Sequence, residues 1–103
     1  MQGMDGLLRQ AQQLQGAMRQ IQEGLARKTV EGSSGGGMVR VVCSGGQEIL
    51  SFSLEDSLLL PEEKDVFQDL LTAAANDALR KARALAEQEM SAVTGGLKLP
   101  FMP

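Results

Sequence analysis

Leu7, Ala11, Leu14, Met18, Ile21 and Leu25 follow one another at intervals of 4, 3, 4, 3 and 4 residues, the alternation of a heptad seam. At about 100° per residue they fall in a sector of roughly 80°. Between them stand Gln10, Gln12, Gln13, Gln15, Gln20 and Gln22, helix formers that carry no charge. Asp5 suits an N-cap. The pattern predicts an amphipathic helix over 1–28, with a narrow stripe that fits a helix–helix seam better than a globular core.

The period then changes. Val30, the run Met38 to Cys43 and the run Ile49 to Leu54 read as strands, and in the last of these Leu50, Phe52 and Leu54 alternate with Ser51, Ser53 and Glu55, the mark of a half-buried strand. Gly32 to Gly37 and Ser44 to Gly46 supply turns. Three antiparallel strands within 29–55, joined by two hairpin connections, follow. A second long helix is predicted over 61–93. Pro61 fits its first position, with Glu62, Glu63 and Asp65 at the end where the helix dipole favours negative charge. Val66, Phe67, Leu70, Leu71, Ala74 and Ala78 give it a broad apolar face. Beyond Leu79 it turns polar, as a projecting arm would, and Gly95-Gly96 ends it before a tail, 94–103. The expected fold is α+β, one domain over 1–103, in the order α-β-β-β-α. A helix of about 23 residues is about 35 Å long, longer than a domain of this size is wide. The stripe on the first helix would stay wet in a lone chain, so a dimer is expected.

Composition narrows the chemistry. Apolar residues are 43% of the 103, with three Phe and neither Trp nor Tyr. No His is present, which removes His-based acid–base catalysis, Ser-His and Cys-His pairs and most zinc sites. The single Cys43 allows no internal disulfide. Inside an apolar strand, with no neighbouring cation, it reads as a small buried hydrophobe. No signal peptide and no membrane-spanning run are predicted, so a cytoplasmic, reducing setting is expected. No enzyme, cofactor, metal or small-molecule substrate follows from these residues. The glycine run lacks the Lys-Ser/Thr pair that closes a phosphate loop. The acidic group Glu55, Asp56, Glu62, Glu63 and Asp65 fits no calcium-loop spacing.

Net charge is −3, but it is unevenly spread. Arg9, Arg19, Arg27 and Lys28 outnumber Asp5 and Glu23 in the first segment. Glu48 to Asp69 is strongly acidic, and from Arg80 onward cations again prevail. Arg9, Gln12, Gln13, Arg19, Gln20 and Arg27 lie opposite the apolar stripe at helical spacing. Arg can fork onto phosphates and Gln can reach phosphates or base edges. Taken alone, this pattern fits a solvated helix face better. In Ala73 to Ala78, small residues permit a tight helix crossing, into which Asn76 and Asp77 would bring polar groups.

Several motifs in order resemble the YbaB/EbfC family. Leu8 to Gln15 resembles its Gln-rich repeat, and Val30-Glu31-Gly32 with Gly35 to Val41 its glycine-rich hairpin. Leu54 to Leu59 resembles its strand exit, Ala73 to Arg80 its A-A-x-N-D-A-x-[RK] helix motif, and Gly96 to Pro100 its G-[ML]-x-L-P tail. The resemblance implies a tweezer-like homodimer with a shared central sheet and two helical arms. It also implies binding of double-stranded DNA through the helices, with a place in the nucleoid and a role in its organisation or in gene regulation. Arg9, Gln13, Arg19 and Arg27 match polar positions of the family's first helix, and Arg80 and Arg83 fall in its last. Lys28 joins them as a candidate contact. Leu14, Met18, Ile21, Phe52, Leu70, Ala74 and Asn76 are the expected core or dimer positions. This sequence departs from many members in having few Lys on the first helix. The alternative is a non-enzymatic assembly factor whose heptad stripe docks a partner helix.

Overall fold

A computed structural model describes residues 2–94. Helix α1 runs Gln2–Arg27, strands β1, β2 and β3 run Thr29–Ser34, Val39–Ser44 and Ile49–Leu54, and helix α2 runs Lys64–Thr94. The fold is α+β in the order expected. The strands form one antiparallel sheet, β1-β2-β3. Val30 is opposite Cys43, Gly32 opposite Val41, and Val41 opposite Phe52, with an irregularity at Val42/Cys43. The molecule measures 72 × 26 × 16 Å, because α1 runs far beyond the sheet. The tail motif Gly96 to Pro100 lies outside the described residues.

The core follows from strand alternation. Val39, Val41 and Cys43 share one face of β2 and are fully buried, against Ala74, Ala78 and Ala82 of α2 and Leu58. The alanines recur every fourth residue and so form one ridge of the helix. Their short side chains let the sheet come down onto the helix backbone. Gly32 makes this contact possible: a Cβ there would overlap the backbones of Ala74 and Ala78. Gly32, Ser33 and Ser34, expected in the turn, therefore extend β1. Gly35 to Met38 make the turn, the three glycines all at positive φ and Met38, expected in the next strand, donating its N–H to Gly35 O. The Ser44–Glu48 turn caps the other end. Ser44 Oγ accepts the N–H groups of Gly46 and Glu48, both at 3.2 Å, and Gln47 takes a φ of 65°.

Other expectations change too. Asp5 lies inside the first turn of α1 rather than at its cap, since nothing in Gln2 to Met4 breaks a helix. Pro61–Glu63 form a separate 3-10 turn before α2, with Pro61 still opening it. Phe52 is not in the core of the chain. It shares the face of Val41, but α2 lies over β1 and β2, which leaves Phe52 49% exposed at the uncovered edge. Ile49, Leu50 and Val66 are exposed as well. Leu14 is exposed at 36%, while Met18, Ile21 and Leu70 are half-buried. Asn76 faces solvent instead of entering the helix–sheet contact, two positions off the alanine ridge on either side.

Candidate nucleic-acid interface

The root of α1 is fixed, and its outer length is largely exposed among the described residues. Leu25 is buried, the Lys28 N–H bonds Leu25 O at 3.1 Å, and Gly45 N–H bonds Lys28 O at 2.9 Å. Gly45 is required there, because a Cβ would meet the Leu25 carbonyl at 2.7 Å. Toward the tip, Met4, Leu7 and Leu8 are exposed, Leu7 to 67%. Leu7, Ala11, Leu14, Ala17 and Val93 line a groove of about 480 Å³ between the two helices.

The candidate contacts divide by position. Arg9, Arg19 and Arg27 are exposed along α1. Gln13 is exposed but borders the apolar groove, nearer α2 than its helical spacing from Arg9 implied. Arg80 and Arg83 face solvent on α2, on the side away from the alanine ridge. Lys28 is joined to Glu89 of α2 by an ion pair. Arg80 reaches Asp77 at 3.7 Å.

Asp77 organises the middle of the fold. Its carboxylate accepts the Ser33 N–H at 3.0 Å and pairs with Lys81 at 3.2 Å, while Lys81 Nζ also donates to Glu31 O at 3.0 Å. The Ser33 N–H holds the Asp77 carboxyl below its ordinary range. The Lys81 side-chain hydrogen bond adds to this, with smaller electrostatic help from Lys81 and Arg80, against an opposing effect of burial. Asp77 thus ties β1 to α2 and has no catalytic partner among the described residues. Burial, and secondarily Glu48, pushes the Cys43 thiol up, so it stays protonated at neutral pH. Among the described residues no cluster of His, Cys, Asp or Glu is placed to hold a metal ion. No helix among them is long and apolar enough to cross a membrane.

Residues 1–97 match the YbaB/EbfC DNA-binding family. The chain belongs to that family. A nucleoid-associated protein of Desulfotalea psychrophila is 52% identical over 94 residues, covering 91% of this chain and 89% of that protein. A nucleoid-associated protein of Syntrophobacter fumaroxidans is 48% identical over 93 residues, covering 90% and 84%. The crystal structure of an uncharacterised Helicobacter pylori protein matches with a TM-score of 0.70 at 30% identity, over 91% of this chain and 92% of that one. The YbaB/EbfC motif Ala73 to Arg80 has a physical meaning in this fold: its alanines seat the sheet and its aspartate holds β1. Nothing in the sequence pattern signals Lys28–Glu89 or Ser33–Asp77, because partners 61 and 44 residues apart leave no local trace. Arg40 pairs with Glu31 at 3.3 Å, and both lie at unspecified positions of the glycine-rich hairpin motif. The alternation of Arg40 with Val39 and Val41 marks it as facing away from the core.

Proposed function

We propose that this chain binds double-stranded DNA in the nucleoid as a homodimer, mainly through phosphates. Arg9, Gln13, Arg19, Arg27, Lys28, Arg80 and Arg83 supply the candidate contacts. The reading rests on family membership together with one observation, the row of exposed arginines on an arm that leaves the protein body. Arginine forks match phosphate oxygens and carry no base identity. The acidic stretch from Glu48 to Asp69 belongs to β3 and the start of α2 and not to the arm itself. An acidic net charge is therefore compatible with a local cationic surface. With no aromatic side chain on α1, stacking on single-stranded bases has no platform there. On this reading the protein works in the cytoplasm, organising the nucleoid or regulating genes, and has no reaction to catalyse.

The dimer is supported by the uncovered apolar edge at Ile49 and Phe52 and by the wet stripe of α1. A titration of random-sequence duplex at several salt concentrations tests the function. Each neutralised phosphate contributes about −0.9 to the log–log slope, and about 3–5 effective contacts are expected from two arms. Absence of binding even at low salt would refute the reading. The groove beside Leu7 and Leu14 favours one other reading, a docking site for a partner helix. Capture of a defined protein partner that Leu14→Asp abolishes, without any duplex binding, would establish it instead.

A further inference from the structure

The described cations fall into two sets. Lys28, Arg40, Arg80 and Lys81 each have a carboxylate partner, respectively Glu89, Glu31, Asp77 and Asp77. Arg9, Arg19, Arg27 and Arg83 have none among the described residues. Lys64 is also unpaired but stands between Glu63 and Asp65 at the acidic start of α2.

Lys28 is the informative member. Its backbone is held on both sides, by Leu25 O at 3.1 Å and Gly45 N–H at 2.9 Å, so its side chain leaves from a fixed point. Its partner is the less exposed of the two, 28% for Glu89 against 52% for Lys28. A phosphate that captured the Lys28 ammonium would leave a partly buried carboxylate without its cation, which carries a desolvation cost, and would bring a second anion beside it. Arg9, Arg19, Arg27 and Arg83 give up no internal partner on meeting a phosphate. The difference is one of competition rather than of reach.

We propose that Glu89 occupies the place of a phosphate on Lys28 and keeps that lysine out of the DNA interface, so that the duplex is met by Arg9, Arg19, Arg27 and Arg83. Lys28 is then a positioning residue that joins the root of α1 to α2. The proposal rests on the DNA-binding reading and divides its candidate contacts by a criterion which that reading does not contain. It also gives the chain a latent contact, released by removing one carboxylate.

Salt titrations of fluorescent random duplex with wild type, Arg19→Gln, Lys28→Gln and Glu89→Gln test it. Removing one phosphate-binding cation from each protomer flattens the slope by up to about 1.8 for the dimer. Arg19→Gln should show that flattening. Lys28→Gln should keep the wild-type slope and affinity while lowering Tm by about 2–4 °C, as removal of a partly exposed ion pair does. Glu89→Gln should steepen the slope by up to about 1.8 and tighten binding by about tenfold at fixed salt. The Lys28 ammonium resonance should stay in place when DNA is added to wild type, and move when it is added to Glu89→Gln. Wild-type binding with Lys28→Gln flattened as far as Arg19→Gln, an unaltered slope in Glu89→Gln, or a DNA-induced shift of the wild-type Lys28 resonance would each overturn this inference alone. A wild type that does not bind overturns the DNA-binding reading with it.

Discussion

At the scale of single residues, Asp77 and Cys43 are titratable side chains that their surroundings set apart among the described residues. The Asp77 carboxyl is held below its ordinary value of 3.8, chiefly by the Ser33 N–H and next by Lys81. A carboxylate whose folded pKa lies below its unfolded one stabilises the fold above the unfolded value. That contribution disappears as pH falls through the folded value. Stability should therefore be level above about pH 5 and decline below it. Asp77→Asn should remove much of this acid-side slope, because an amide accepts the Ser33 N–H without titrating. Thermal melts from about pH 6 down to about pH 2.5 check this, and an acid limb as steep in the variant as in wild type would assign the dependence to other carboxylates. The Cys43 thiol is fully buried and its pKa is raised. Cys43→Ala should cost about 1–2 kcal/mol from the small cavity it leaves, with DNA binding unchanged. Loss of binding in a variant that still melts cooperatively would give the thiol a functional role.

At the scale of elements, the decisive contact is β1 against the alanine ridge of α2. Gly32→Ala should cost more than about 3 kcal/mol, because the added methyl meets backbone that cannot turn aside. Gly36→Ala meets open space, yet its φ of 65° makes it a strain control. Denaturant midpoints for the pair separate close packing from backbone conformation, and equal losses would deny Gly32 its packing role. Glycines also mark where the sequence is legible and where it is not. The heptad spacing of α1, the alternation Val39-Val41-Cys43 and the apolar-then-polar course of α2 are local patterns, and each shows in the residues alone. The use of Gly32 as a strand residue is not local. It depends on Ala74 and Ala78, more than forty positions away in the chain, so a glycine-rich run reads as a turn until the helix is in place. The same holds for the cationic site. Helical spacing separates Arg9, Arg19 and Arg27 from the apolar stripe and sets Arg80 beside Asp77 three residues away, but it cannot show that Lys28 already faces a carboxylate 61 residues on. Phe52 alternates as a core residue should, and it does face the α2 side of the sheet. What alternation cannot report is that α2 is too narrow to cover the third strand.

At the scale of the whole molecule, that uncovered third strand and the outlying arm belong to one argument. A sheet whose outer strand keeps Ile49 and Phe52 exposed on the helix-covered side presents an apolar surface of the kind a second copy covers. An arm with few unpaired cations binds DNA weakly alone, and two arms held by one body bind together at high effective concentration. Association through β3 should thus control affinity from a distance, although Phe52 belongs to no cationic surface. Phe52→Asp places a charge on the exposed edge, where the single chain tolerates it and an apolar dimer contact does not. The expected result is a chain with unchanged far-UV circular dichroism that sediments at 11.0 kDa where wild type sediments at about twice that mass. Its duplex affinity should fall by about a hundredfold, and its salt slope should halve, since each bound molecule then neutralises half as many phosphates. Arg19→Gln separates the two causes, lowering the slope while leaving the dimer intact. A Phe52→Asp chain that remains dimeric would move the interface off β3, toward the stripe of α1. A monomer that binds with wild-type affinity and slope would show that one arm suffices.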